Sequence, residues 1–200
     1  MTTLLMLAAT ATAADNEIAL ELGTIYSDDR SWDAFSSDDV LPSKGLRVGF
    51  GVADDVAVIG SYGYGARGAD VDLWSTDGEG WFSTAFYGHQ LGLGAKVTPL
   101  DWRYLRPYVA PQAVALYGVA RLDEDTGDDD NLNQIQAAGT AFGGVLNGGL
   151  ELVLADERRK VVPAAYIELG YGWLTSMQLD DLGDVQFKGL TSRFGLGVHF

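Results

Sequence analysis

Cysteine is absent from the 200 residues, which excludes disulfides, cysteine-based zinc sites and a thiol nucleophile. Cations are scarce, with 13 Lys and Arg against 28 Asp and Glu and a formal charge of -15. A chain this anionic lacks the clustered bases that phosphate backbones require, so a nucleic-acid partner is excluded. No segment offers about twenty uninterrupted apolar residues, so a transmembrane helix is excluded too. Gly/Ser-rich or Pro-rich linkers are missing, and residues 15 to 200 read as one domain. Histidine is limited to His89 and His199. Neither stands beside a recognisable nucleophile motif, so the expectation is no enzyme, no cofactor and no metal centre.

What the chain does have is glycine, 26 residues of it, set singly within apolar segments in the manner of close-packed strands. Hydrophobic residues make up 47% of the chain against 20% charged, which argues against disorder despite the net charge. Period-two alternation recurs along the chain. Ile18, Leu20, Leu22, Thr24 and Tyr26 alternate with Ala19, Glu21 and Gly23; Leu46, Val48, Phe50 and Val52 alternate with Gly45, Arg47, Gly49 and Gly51. The same pattern marks strands over residues 56–64, 84–97, 105–119, 146–154, 165–173 and 190–200. Pro107 and Pro111 weaken the fifth of these, because proline cannot donate to a ladder, and a bulge near Pro111 is expected.

The connections alternate long and short. The four long ones carry 18 of the 28 acids, including Asp38, Asp39, the run Asp123 to Asp130, Asp180 and Asp184. Long loops on one side and brief turns on the other are the asymmetry of a closed, antiparallel transmembrane β-barrel of about eight strands, an all-β fold. Closure satisfies the backbone groups that lipid cannot. A soluble barrel or sandwich would carry ordinary mixed polar residues on its second face; glycine with single mid-strand charges suits a crowded interior better. Residues 1 to 14, with an apolar run from Leu4 to Ala9 and small residues at Ala11, Ala13 and Ala14, read as a secretory signal peptide. The segment opens without Lys or Arg, which leaves a mature N-terminal strand or tail as the alternative.

The inward face would hold Glu21, Arg47, Lys96, Glu151, Glu168 and Arg193. Closing the last strand on the first sets Glu168, Arg193, Glu21 and Arg47 on consecutive strands with alternating sign. Buried charges persist when paired, so an internal salt-bridge network that plugs the lumen is expected, with Arg193 bridging Glu168 and Glu21. A polar conduit is the alternative. The acidic run from Asp123 to Asn131 lacks the spacing of a calcium loop and reads as a solvated segment. Trp74, Trp81, Trp102, Tyr104, Tyr108, Tyr171 and Trp173 fall near strand ends, where girdles of aromatic rings form.

The segments Phe194-Gly195-Leu196-Gly197-Val198-His199-Phe200 and Leu105-Arg106-Pro107-Tyr108-Val109-Ala110, with the repeated Gly-aromatic strands, resemble the small bacterial outer-membrane proteins with the OmpA-type or porin-like β-barrel fold. The resemblance implies a bacterial outer-membrane location and a C-terminal assembly signal at Phe194, Leu196, Val198 and Phe200, read by the barrel-assembly machinery. The expected role is structural or interactive, through acidic external loops that engage divalent cations, lipopolysaccharide or a partner protein, with outer-membrane lipid around the wall. A narrow channel for small solutes or apolar molecules is the alternative, and a lipid-modifying enzyme a weaker one.

Overall fold

The computed structural model describes residues 16–27, 30–36, 38–75, 78–100, 102, 104–125, 132–154 and 160–200. The signal-peptide segment lies outside them, as do residues 126–131 of the acidic run and most of the turn at 155–159. Alternation of apolar and small or polar residues produces the strands β1 (Glu17–Tyr26), β2 (Val40–Ala53), β3 (Val56–Ser75), β4 (Gly78–Val97), β5 (Leu105–Asp125), β6 (Leu132–Val153) and β7 (Val162–Leu174). A two-residue pair, β8 (Met177–Gln178) and β9 (Asp184–Val185), precedes β10 (Lys188–His199). Eight of these strands close into an antiparallel barrel in the order β1-β10-β7-β6-β5-β4-β3-β2. The seam is a full ladder from Glu17↔His199 to Ile25↔Thr191, so the barrel has no free edge.

The pleat sends one parity of each strand outward. Leu20, Leu22, Leu91, Leu93, Leu169, Leu190 and Leu196 are exposed on the wall, whereas Ala19, Arg47, Lys96, Glu151 and Glu168 are buried inside. An exterior of leucine and aromatic rings around a charged interior inverts the soluble pattern and matches a wall that faces hydrocarbon.

Three details depart from the sequence reading. Two of the long connections are mostly strand: β3, β4, β5 and β6 run 20, 20, 21 and 22 residues, twice the roughly 9–11 that cross a bilayer. The alternation of Asp70 and Asp72 with Val71 and Leu73 continues β3 through a segment whose acidity alone suggested a loop. Second, Pro111 makes no bulge. Pairing of β4 with β5 passes from Gly94↔Gln112 to Val97↔Val109 in unchanged register with two pairs absent between, because proline removes a donor without adding a residue. The register shift lies instead between Gly51 and Ala53 of β2. Third, Tyr108 is buried in the lumen, 3% exposed, and is no part of a girdle. Trp102, Tyr104, Tyr171 and Trp173 are exposed; the side chains of Trp74 and Trp81 lie outside the described residues.

The other two long connections fold back over the mouth. A 3-10 helix, Arg30–Ala34, and the β8–β9 pair bring Trp32, Phe35, Met177, Leu179, Val185 and Phe187 against the inward side chains Phe86, Leu116 and Val145 in one buried apolar cluster. Trp32 meets Phe86 and Phe187 edge-on at 5.2 and 5.1 Å between ring centroids, a favoured aromatic geometry. The two connections are tied together: Ser27 Oγ donates to the Gln186 carbonyl at 2.7 Å, and Ser31 Oγ to the Asp184 carbonyl at 2.5 Å. The turn between β8 and β9 reverses at Gly183, whose φ of 83° lies in the region that favours glycine.

Candidate functional site

Below that apolar layer, toward the short turns, the lumen is filled by charge. Two glycines make the room. Tyr108 of β5 stands opposite Gly149 of β6, and Tyr166 of β7 opposite Gly195 of β10. A Cβ at either glycine would collide with the facing tyrosine ring. Each ring therefore lies against the wall with its hydroxyl end over the facing glycine.

Arg47 is the hub. Its Nε donates to Glu17 Oε1 at 2.7 Å, and its Nη1 to Glu168 Oε1 at 2.5 Å and Glu21 Oε1 at 3.4 Å. The guanidinium carbon sits 4.1 Å from the centre of the Tyr166 ring, a cation–π contact in a desolvated setting. Tyr108 Oη donates to Glu168 Oε1 at 2.8 Å, Asn147 Nδ2 donates to Glu168 Oε2 at 2.9 Å, and the Tyr166 hydroxyl donates to Glu21. Lys96 Nζ bridges Glu17 at 2.6 Å and Glu151 at 2.8 Å. His199 Nε2 lies 3.0 Å from Glu151 Oε1, and Arg106 faces Glu151 in register.

All six residues read from the sequence as inward charges are buried and belong to this layer. Their wiring differs from the expectation. Arg193 donates to Gln112 Oε1 at 3.2 Å and approaches Glu168 at 3.9 Å; the acids of β7 and β1 are joined by Arg47, since Glu17, Glu21 and Glu168 all converge on its guanidinium. Glu17 and Arg106 were missed and Tyr108 was read as a girdle ring, although each has the inward parity of its strand; Asn147, Tyr166 and His199, of inward parity too, join the same layer. Four acidic side chains (Glu17, Glu21, Glu151, Glu168) face four basic ones (Arg47, Lys96, Arg106, Arg193) among the buried residues, so their formal charges balance.

Glu17, Glu151 and His199 bring ligand atoms within 4.8 Å of one another, a spacing a metal ion would accept. Lys96 Nζ already supplies the positive charge between the two carboxylates, so the cluster reads as an ion-pair site. Between the charged and apolar layers lies a void of about 20 Å³ touched by Glu21, Ser43, Ser61, Gln90 and Arg193, room for roughly one water.

At the long-connection end, Asp123 of β5 accepts from Gln134 Nε2 at 2.8 Å and from Arg121 Nε at 2.9 Å. The Gln134 bond first, then Arg121, hold its carboxyl below the usual carboxylate range. Asp38, Asp39, Asp180 and Asp184 are exposed at this end.

No protein-family model matches the chain, and no curated protein matches it in sequence. Solved structures match in shape. Ail, the attachment invasion locus protein of Yersinia pestis, is 18% identical with a TM-score of 0.53, over 94% of this chain and 99% of that one. Neisserial surface protein A, from Neisseria, is 12% identical with a TM-score of 0.50, over 92% and 95%. This chain thus has the closed eight-stranded fold of the small bacterial outer-membrane barrels.

Proposed function

We propose that this barrel resides in the bacterial outer membrane in a non-catalytic, structural or interactive role, exercised through its acidic external segments, with a lumen closed to solutes. The observation that carries the reading is the double filling of the lumen. An ion entering from the long-connection side meets the Trp32–Phe86–Phe187 layer; beyond it, the network around Arg47 ties Glu17, Glu168 and Lys96 into ion pairs across the lumen. Eight-stranded barrels have interiors that side chains can fill.

The membrane location is supported by the exposed Leu and aromatic band, whose backbone is satisfied inside the closed ladder. The interactive role is supported by the acids exposed at the long-connection end, which suit a divalent cation, lipopolysaccharide bridged by such cations, or a basic partner surface. The name of the similar Yersinia pestis protein describes attachment for that protein. Phe194, Leu196 and Phe200 project outward from the last strand, with Val198 half-buried on the same face; this is the display an assembly machinery would read, and loss of Phe200 should lower the amount of folded barrel recovered from membranes.

Planar-bilayer recording of the full chain tests the closed lumen. No steady single-channel conductance is expected, and lipid A incubated with the protein should remain unmodified. A stable conductance altered by Arg47→Ala would favour the narrow channel instead.

A further inference from the structure

The outer wall carries a feature that neither the lumen nor the loops account for. Along one register line, Lys44 of β2 pairs with Tyr64 of β3, Tyr64 with His89 of β4, and His89 with Tyr117 of β5. Partners across a ladder share a face, and here it is the lipid-facing one, on which Lys44, His89 and Tyr117 are exposed. Two strand spacings separate Lys44 from His89, roughly 10 Å.

The His89 ring is held in place by neighbours: Nδ1 lies 2.9 Å from the Tyr62 hydroxyl, and the Tyr64 ring centroid is 5.1 Å away. The Tyr62 contact occupies Nδ1 and leaves Nε2 as the ring atom open to an external partner. Lys44 has no acidic partner among the described residues. Beside it opens an apolar groove of about 620 Å³ lined by Leu20, Leu46, Tyr62, Phe194 and Leu196, with Lys44 at its rim. The groove crosses the β10–β1–β2–β3 wall, including the seam.

Height along the barrel selects the occupant. Lys44 is nine positions from Ala53, and His89 eight from Val97. At 3.3 Å per residue and the usual strand tilt, both stand about 20 Å above the short-turn end, near the upper edge of an apolar band about 25 Å tall. A ligand there has its chains beside leucines and its headgroup at the level of Lys44 and His89, on the long-connection side.

We propose that this face binds a phosphorylated, multiply acylated glycolipid of the outer leaflet, with acyl chains in the groove and a phosphate held by Lys44 and His89 astride Tyr64. The assignment rests on the outer-membrane reading above, which places the long connections outside. Lysine is a point-charge phosphate ligand, and against a net charge of -15 an exposed cation at the headgroup level, without an acidic partner among the described residues, is the place where an anionic lipid is attracted.

The test uses the full chain in detergent micelles, with lipid retention read by native mass spectrometry. Diphosphoryl lipid A should be retained, and Lys44→Gln should lower its retention about fivefold, the effect expected of one cation at a lipid surface. Lys44→Gln with His89→Gln should lower it further. Lys188→Gln, an exposed lysine of β10 outside the groove, should leave it unchanged. Fully dephosphorylated lipid A should bind the unaltered protein no better than diphosphoryl lipid A binds the double variant. Equal retention of the phosphorylated and dephosphorylated forms overturns the proposal, as does indifference to Lys44→Gln; phosphatidylglycerol bound as tightly as lipid A overturns the glycolipid assignment. Heat-modifiable gel mobility of the same samples separates the two readings: its absence from the unaltered protein undoes the barrel-in-membrane reading, whereas normal mobility without phosphate-dependent retention undoes only the lipid site.

Discussion

The two halves of the lumen close the same barrel by opposite chemistry. Toward the short turns the filling comes from the strands themselves: Arg47, Lys96, Glu168 and their partners project from the wall, and their positions are set by the ladder. Toward the long connections it comes from outside the wall, as Trp32, Met177 and Phe187 are carried in on folded segments. The ionic half is specific but intolerant, because removal of one partner leaves others buried without a counter-charge. The apolar half responds by volume, since a truncated side chain leaves a cavity that neighbours partly collapse into. A barrel too narrow to hold much water can thus be filled either by paired charge or by imported hydrocarbon, and this one uses both.

The largest separation between the halves should come from Arg47→Ala. It leaves Glu17, Glu21 and Glu168 facing one another and should cost about 5 kcal/mol, the upper end for breaking a buried pair, measured by urea unfolding in lipid vesicles. Pairing it with Glu168→Gln should recover part of that loss in a double-mutant cycle. Trp32→Ala should cost about 3 kcal/mol in the same assay, and the two losses should add when combined. Strong coupling between Arg47 and Trp32 would mean that the layers are one unit. Trp32→Ala should still not conduct, because the ionic layer remains shut.

A smaller effect is expected at the wall that supports the ionic half. Gly195→Ala puts a methyl group into the Tyr166 ring and should cost about 2 kcal/mol through overpacking, with most of that cost absent in a Tyr166→Ala background. A null result there would show that the tyrosine is free to move away from the wall.

The smallest effect lies outside both halves. Asp123 is held below the usual carboxylate range by Gln134 and Arg121, so its stabilising contribution is present above the ordinary Asp pKa and lost as pH falls through the lowered value. A side-chain carboxyl titration by NMR should find Asp123 still ionised at the lower end of the ordinary aspartate range, and Gln134→Ala should move it back toward that range.

Much of the ionic half was legible in the chain. Glu21, Arg47, Glu168 and Arg193 could be set side by side from parity and the closing of the last strand on the first, since side chains alternate strictly in a pleated ladder. The hub was not legible. Parity says which residues face inward, and choosing between Arg47 and Arg193 requires the register and the reach of each guanidinium. Tyr108 was misassigned because nearness to a strand end suggested a girdle, whereas its even number places it with Arg106 and Gln112 on the inward parity of β5. The apolar half was read only as acidic loops. Trp32 and Phe35 are isolated apolar residues beside aspartates, and the alternation at Met177–Leu179 and Val185–Phe187 spans too few residues to mark a strand.

By itself the sequence determined the closed barrel, its eight strands and the sign of the wall and interior, because a period of two with lipid outside admits few other arrangements. Tertiary structure alone decided how the lumen is shut and which wall residues stand in line. Those depend on contacts between strands and loops far apart in the chain, such as Arg47 with Glu168 or Trp32 with Phe187. No local pattern encodes such contacts, since each partner is selected by the space that all the others leave.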